Sequence, residues 1–321
     1  MSWLCEGGGM TWLLCIVLGA WLPSFEDFRE ADRARRESGR WQSEALARLM
    51  QVNPARVLEV ARRHSHDWEM QWGAAELVSD WKLKRARFEA AVAGSGTNVA
   101  VAARFACAAA AERDDALAMR WIEHCQRHDR TNSVSWLVEL WLLRAQGEAD
   151  RFEPTGAGPV FRDYAEGAAR ARIRVLEAMG YSKYSARRIG YLPKLYAVEM
   201  AQQLRRGKHE PYVREFLLET AAAMQRDAVF LVTELAGQSL ETAMLALRPD
   251  SPAKQARLEE LAERRVWVQE MLGELEQRVD AASEERMVRY FDELLLLGEL
   301  EAMRRLAREL PPPSVTPRRR Q

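Results

Sequence analysis

The dipeptide Thr97-Asn98 recurs as Thr131-Asn132, 34 residues further on, and the helical pattern between the two copies runs without a gap. A period of that length is one helix–turn–helix unit. A single unit cannot bury its own apolar face, so it has to stack on neighbouring units into an array. The rest of the chain agrees with a helical fold: alternating Val/Ile/Thr runs never appear, while stretches rich in Ala, Leu, Glu and Arg dominate. The fold class is therefore all-α. At 321 residues the chain suits one extended array or two ordinary domains, and 48% hydrophobic against 29% charged residues excludes wholesale disorder. Basic and acidic residues both number 47, so no global field draws the chain onto nucleic acid, and no nucleic-acid partner is expected.

Taking Ser65, Val99 and Ser133 as equivalent starting points aligns three segments. Trp68 opens the first, with Asp80-Trp81 at its turn and Phe88 and Ala91 on its second helix. Phe105 and Ala106 line the first helix of the middle segment, and Ala118, Ile122 and Cys125 its second. Trp136 opens the last, and Gly147 closes its helix. Small residues in these columns let paired helices approach, and large ones fill the gap to the next pair. The pattern resembles that of the tetratricopeptide (TPR) repeats over residues 65–150; an α-hairpin array of another type is the alternative. Glu139, Trp72 and Lys84 depart from it, standing where the family has Leu, a small residue and Ala. The resemblance implies a concave face, made by the first helix of each pair, that binds a protein or peptide. It places Gln71, Ala75, Arg104, Ala108 and Val138 on that face.

Upstream, Asn53-Pro54 reads as an N-cap followed by a first-turn proline, and residues 24–64 form N-terminal capping helices. Downstream, the Gly- and Pro-rich stretch from Glu153 to Pro159 breaks the array, making 151–161 a linker before a C-terminal helical domain at 162–310. In that domain Gly180 caps one helix and Pro193 interrupts the next. A 3-4 alternation then runs through Leu258, Leu261, Arg265, Val268, Leu272, Leu275, Val279 and Ala282, with Arg265 as its polar intruder. This helix is expected to fold back on the one from Glu284 to Leu310 as a long antiparallel hairpin. Pro311-Pro312-Pro313 ends the structured part, and 311–321 is read as a disordered tail.

Trp12 to Leu22 is an unbroken apolar run ending at Pro23. It is short for a bilayer span and right for a signal-peptide core. No Lys or Arg precedes it, Glu6 sits where a positive region should be, and Met10 is an alternative start. A buried helix is the third reading. Residues 1–23 are taken as a signal-like or anchoring segment through which the chain contacts a membrane, so an exported or anchored location is favoured over a cytoplasmic one. If the chain is exported, Cys107 and Cys125, on the two helices of one hairpin, can form a disulfide; otherwise both are small core residues.

Chemistry-bearing patterns are few. Gly7-Gly8-Gly9 lacks the Lys-Ser/Thr of a phosphate loop, and neither a Gly-x-Ser-x-Gly elbow nor a Cys-x-x-Cys pair occurs. His124 and His128 have the i,i+4 spacing of a metal-facing helix edge, but the bland reading of surface histidines is preferred. Tyr181, Tyr184, Tyr191 and Tyr196 interleave with Lys183, Arg187, Arg188 and Lys194, a pattern more often an amphipathic helix than a phosphate-binding one. No cofactor, metal or catalytic residue is assigned. The expected function is a non-enzymatic scaffold or adaptor that binds along the concave face. The alternative is a membrane-anchored structural protein of the cell envelope that self-associates through its C-terminal helices.

Overall fold

The computed structural model describes residues 22–38, 44–96, 98–154, 158, 160–207 and 209–310. The tail 311–321 and the apolar run before Leu22 lie outside them. The described chain is all-α and repeat-like: α1 Phe25–Ser38, α2 Glu44–Leu49, α3 Pro54–Arg63, α4 Trp68–Leu77, α5 Trp81–Gly94, α6 Val99–Ala111, α7 Asp115–His128 and α8 Ser133–Gln146 come first. After them come α9 Ala165–Ala178, α10 Lys183–Gly190, α11 Tyr196–Leu204, α12 Pro211–Asp227, α13 Leu231–Ala246, α14 Pro252–Arg278, α15 Glu284–Leu297 and α16 Glu299–Glu309. The only β-type pairing among the described residues is an isolated parallel bridge between Asn132 and Val160.

The 34-residue register is local chemistry before it is packing. Asn98 and Asn132 each cap a helix, their side-chain oxygens accepting the N–H of Ala100 at 2.9 Å and of Val134 at 3.2 Å. Helices α5 and α7 also begin 34 residues apart, after Asp80 and Asp114. Gly147 ends α8 in the left-handed region (φ 78°), where a Cβ would be strained. Phe88, Ala91, Phe105, Ala106, Ala118, Ile122, Cys125 and Trp136 are all buried. The first unit is offset. Ser65 lies in a turn, not at a helix start, and α4 begins three residues later, at Trp68, because Asp67 caps it by accepting from Glu69 and Met70. Trp68 is thus first in its helix and half-buried, stacked on Trp72 at 6.3 Å, whereas Trp136 is fourth in its helix and only 7% exposed.

Beyond α8 the array is stitched to the C-terminal half of the chain. The Asn132 amide donates to the Arg162 carbonyl at 2.9 Å, and its oxygen accepts the Arg162 N–H at 3.0 Å. Phe152 packs edge-on against Phe216 of α12, and the Phe161 N–H donates to Asp227 at 2.9 Å. One continuous apolar core runs from Phe28 to Leu310. The stretch expected to be a linker therefore does not separate two cores.

The C-terminal hairpin also differs from expectation. Gly298, at φ 87°, divides the second arm into α15 and α16, and the next residue binds back: the Glu299 N–H donates to the Val229 carbonyl at 2.7 Å. Helix α16 packs on α14, through Arg278 to the Ala307 carbonyl at 2.8 Å and Arg304 over the Trp267 ring at 5.0 Å. Arg265 is no stranded intruder, since it donates to the Gln238 carbonyl and the Thr242 hydroxyl of α13 at 3.0 and 2.8 Å.

Candidate functional site

The face expected to receive a partner is filled by the chain itself. Gln71, Ala75, Arg104, Ala108 and Val138 are all buried, at 1% exposure or less. Helix α9 lies along α4, and α11 lies against α6 and α8. The fit of α9 on α4 is backbone to backbone: a Cβ on Gly73 would stand 2.1 Å from the Ala171 carbonyl oxygen. Gly167 repeats the arrangement from the other side, with the Trp72 ring 2.7 Å from where its Cβ would be. Only glycines permit that approach. Gln71 is spent on positioning, donating to the Ala61 and His64 carbonyls at 2.6 and 3.0 Å and accepting from Arg87 at 2.8 Å. The five residues are thus all buried, Gln71 bound to α3 and α5 and Arg104 to Glu76 and Lys194, and are not exposed to a partner.

At its centre sits a buried ionic cluster. Arg104 is the single charged residue of α6, and it forms a two-pronged pair with Glu76 of α4, Nε to Oε1 at 2.9 Å and Nη2 to Oε2 at 2.8 Å. Nη2 also donates to the Lys194 carbonyl at 2.7 Å, and the guanidinium lies 5.2 Å from the Tyr196 ring centre. Lys84 of α5, 1% exposed, reaches the same tyrosine and donates to its hydroxyl at 3.1 Å. Burial works to raise the Glu76 carboxyl, but the guanidinium of Arg104 more than reverses it, so Glu76 stays below its ordinary range and ionised. Lys84 is pushed down, first by burial and then by the ammonium of Lys194. Asp163, just before α9, is pushed up by burial; one oxygen accepts the Ala165 N–H at 3.1 Å and the other is sealed without a partner.

This cluster was partly legible beforehand. A lone arginine in the run VAVAARFACAAAA demands a buried acceptor, and Lys84 stands where the repeat calls for alanine. Glu76, Tyr196 and Asp163 carry no such signal, because their positions depend on which later helix docks on the array.

Other candidates resolve individually. Tyr181, Tyr184 and Tyr196 are buried, while Arg188 pairs with Asp32 at 3.0 Å and Arg187 with Asp292 at 2.7 Å, so the aromatic–basic stretch is consumed by packing. Cys107 and Cys125 are free, buried thiols, each pushed up to about 12 by burial. A surface cleft of about 560 Å³ lies outside the repeats and is lined by residues including Phe161, Asp163, Glu166, Arg226 and Asp227. Among the described residues no group of three or more His, Cys, Asp or Glu could hold a metal, and no helix is long and apolar enough to cross a membrane. Comparison with protein families, with curated proteins and with solved structures finds no match.

Proposed function

We propose that this chain is a non-enzymatic interaction protein built on TPR-like hairpins, in which the concave face is spent on the chain's own α9 and α11. The observation that supports this reading is the sealed face, with Gly73 against Ala171 and Arg104 against Glu76 and Lys194. Binding a peptide along that face would require α9 and α11 to leave and would break the Arg104 hydrogen bond to the Lys194 carbonyl. The filled face instead favours a structural role, in which residues 1–23 anchor the chain at the cell envelope and the C-terminal helices contact a second copy. Helix α14 supports that assignment: it is 27 residues long, packs on α13 and α16, and leaves Val266 and Leu272 exposed at 54% and 38%. Analytical ultracentrifugation of the chain lacking residues 1–23 tests the reading. Concentration-dependent dimers abolished by Val266→Glu with Leu272→Glu are expected. A monomer at all concentrations would refute self-association, and tight capture of a peptide that displaces α9 would restore the concave-face reading.

A further inference from the structure

We propose that His209 is a pH-sensitive clasp that fastens the turn between α11 and α12 onto the last repeat helix, α8, and lets it go on acidification. The imidazole itself closes the turn: Nε2 of His209 lies 2.7 Å from the carbonyl of Leu204, the last residue of α11. A carbonyl oxygen only accepts, so Nε2 carries the hydrogen and Nδ1 is the basic nitrogen of the neutral ring. Arg144 of α8 reaches into the same turn. Its Nη1 stands 3.3 Å from Nε2, and its guanidinium lies so close to Gly207 that a Cβ there would be 2.0 Å from both Nη atoms. Both facing nitrogens are donors, so the fold and not a hydrogen bond holds Arg144 beside His209. One turn earlier on α8, Trp141 donates to Gln203 at 2.8 Å, and Leu204 is buried. The clasp thus ties α8 to the end of α11, a helix that covers the repeat face.

The groups around the ring favour its neutral form. Helix α8 presents Arg144, α12 presents Arg214, and the end of α11 presents the Leu204 carbonyl. Arg205 turns to the Ser239 hydroxyl of α13, and Arg206 and Glu210 are exposed. Half-burial of the ring is the largest influence and works against a charge. The Leu204 carbonyl favours the imidazolium and the two arginines oppose it, so His209 titrates below its ordinary value. Released from the clasp, the imidazole regains the ordinary histidine value of 6.5. Above that value the ring is neutral in both forms and the clasp holds. As pH falls below it, the open turn takes up a proton that the closed turn resists. Opening then gains about tenfold per pH unit until the closed form titrates too. The start of α11 stays seated, because Tyr196 is anchored there against Arg104 and Lys84, not against a histidine. The clasp is independent of whether α14 self-associates.

Hydrogen–deuterium exchange of the full chain at about pH 7.5 and about pH 5, with rates corrected for the intrinsic pH dependence of amide exchange, tests the clasp. At the lower pH, protection across residues 201–210 should fall by about tenfold relative to that of α6. His209→Gln keeps a donor for the Leu204 carbonyl but has no titrating nitrogen, and it should abolish the extra loss. Arg144→Met removes the nearest cation and should reduce the loss. Titration of the unmodified chain followed by NMR of the imidazoles gives the same decision without a variant: His209 should carry its hydrogen on Nε2 and titrate below 6.5. Protection that stays level between the two pH values would overturn the proposal. So would an undiminished pH effect in His209→Gln, or a His209 that titrates at or above 6.5.

Discussion

Arg104→Leu is the sharpest probe of the buried ionic cluster. The substitution removes two hydrogen bonds to Glu76 and one to the Lys194 carbonyl and leaves the Glu76 carboxylate buried without its main partner. Breaking a buried pair from one side costs about 3–5 kcal/mol, because the stranded charge keeps its desolvation penalty and loses its attraction. For a chain of 321 residues the unfolding entropy is about 0.7 kcal/mol/K, so the melting temperature should fall by about 4–7 °C. Glu76→Leu in the same background should recover most of the loss, since replacing both partners leaves no uncompensated charge. Denaturant titration of the four chains in a double-mutant cycle gives the coupling directly. If Arg104→Leu alone cost less than about 1 kcal/mol, the pair would be open to water and the face would not be sealed.

Lys84→Met should be neutral to stabilising at neutral pH, because the amine donates to a tyrosine hydroxyl, not to a carboxylate, and burial disfavours its charge. The sign with pH comes from the lowered folded-state value: the unmodified chain gains stability as pH rises towards the ordinary lysine range, so the advantage of Lys84→Met should shrink by about pH 10. Chemical denaturation at both pH values checks this, and an advantage that grew with pH would contradict it. Trp136→Ala should cost about 3–5 kcal/mol and Trp68→Ala clearly less, since only the first is buried; equal losses would mean that the offset of α4 is wrong. Gly73→Ala should destabilise well beyond a surface substitution, because its Cβ would meet the Ala171 carbonyl; a fully native melting temperature would show that α9 is free to move away.

The elements that could be read from sequence were those fixed by local chemistry. Asn53, Asn98 and Asn132 announce helix starts with their own side chains, Gly147 and Gly180 announce ends, and the small-residue columns of α6 and α7 announce a close hairpin. The use made of the resulting face could not be read. The same residue, Asn, caps both α6 and α8, yet Asn98 is exposed and Asn132 buried beneath the 160–162 segment. A period predicts that units stack and says nothing of a later segment that returns to cover them. Gly73 and Gly167, which make the closest approach, look like ordinary helix-weakening glycines until α4 and α9 are seen together.

Hydrogen–deuterium exchange coupled to mass spectrometry tests the central claim most directly. If α9 and α11 are permanent occupants of the repeat face, amides in α9 and α11 should exchange as slowly as those in α4 and α6, all requiring the same cooperative opening. Exchange of α9 and α11 orders of magnitude faster than α4 and α6, under conditions where the array stays folded, would show that the face opens on its own, and would contradict the account.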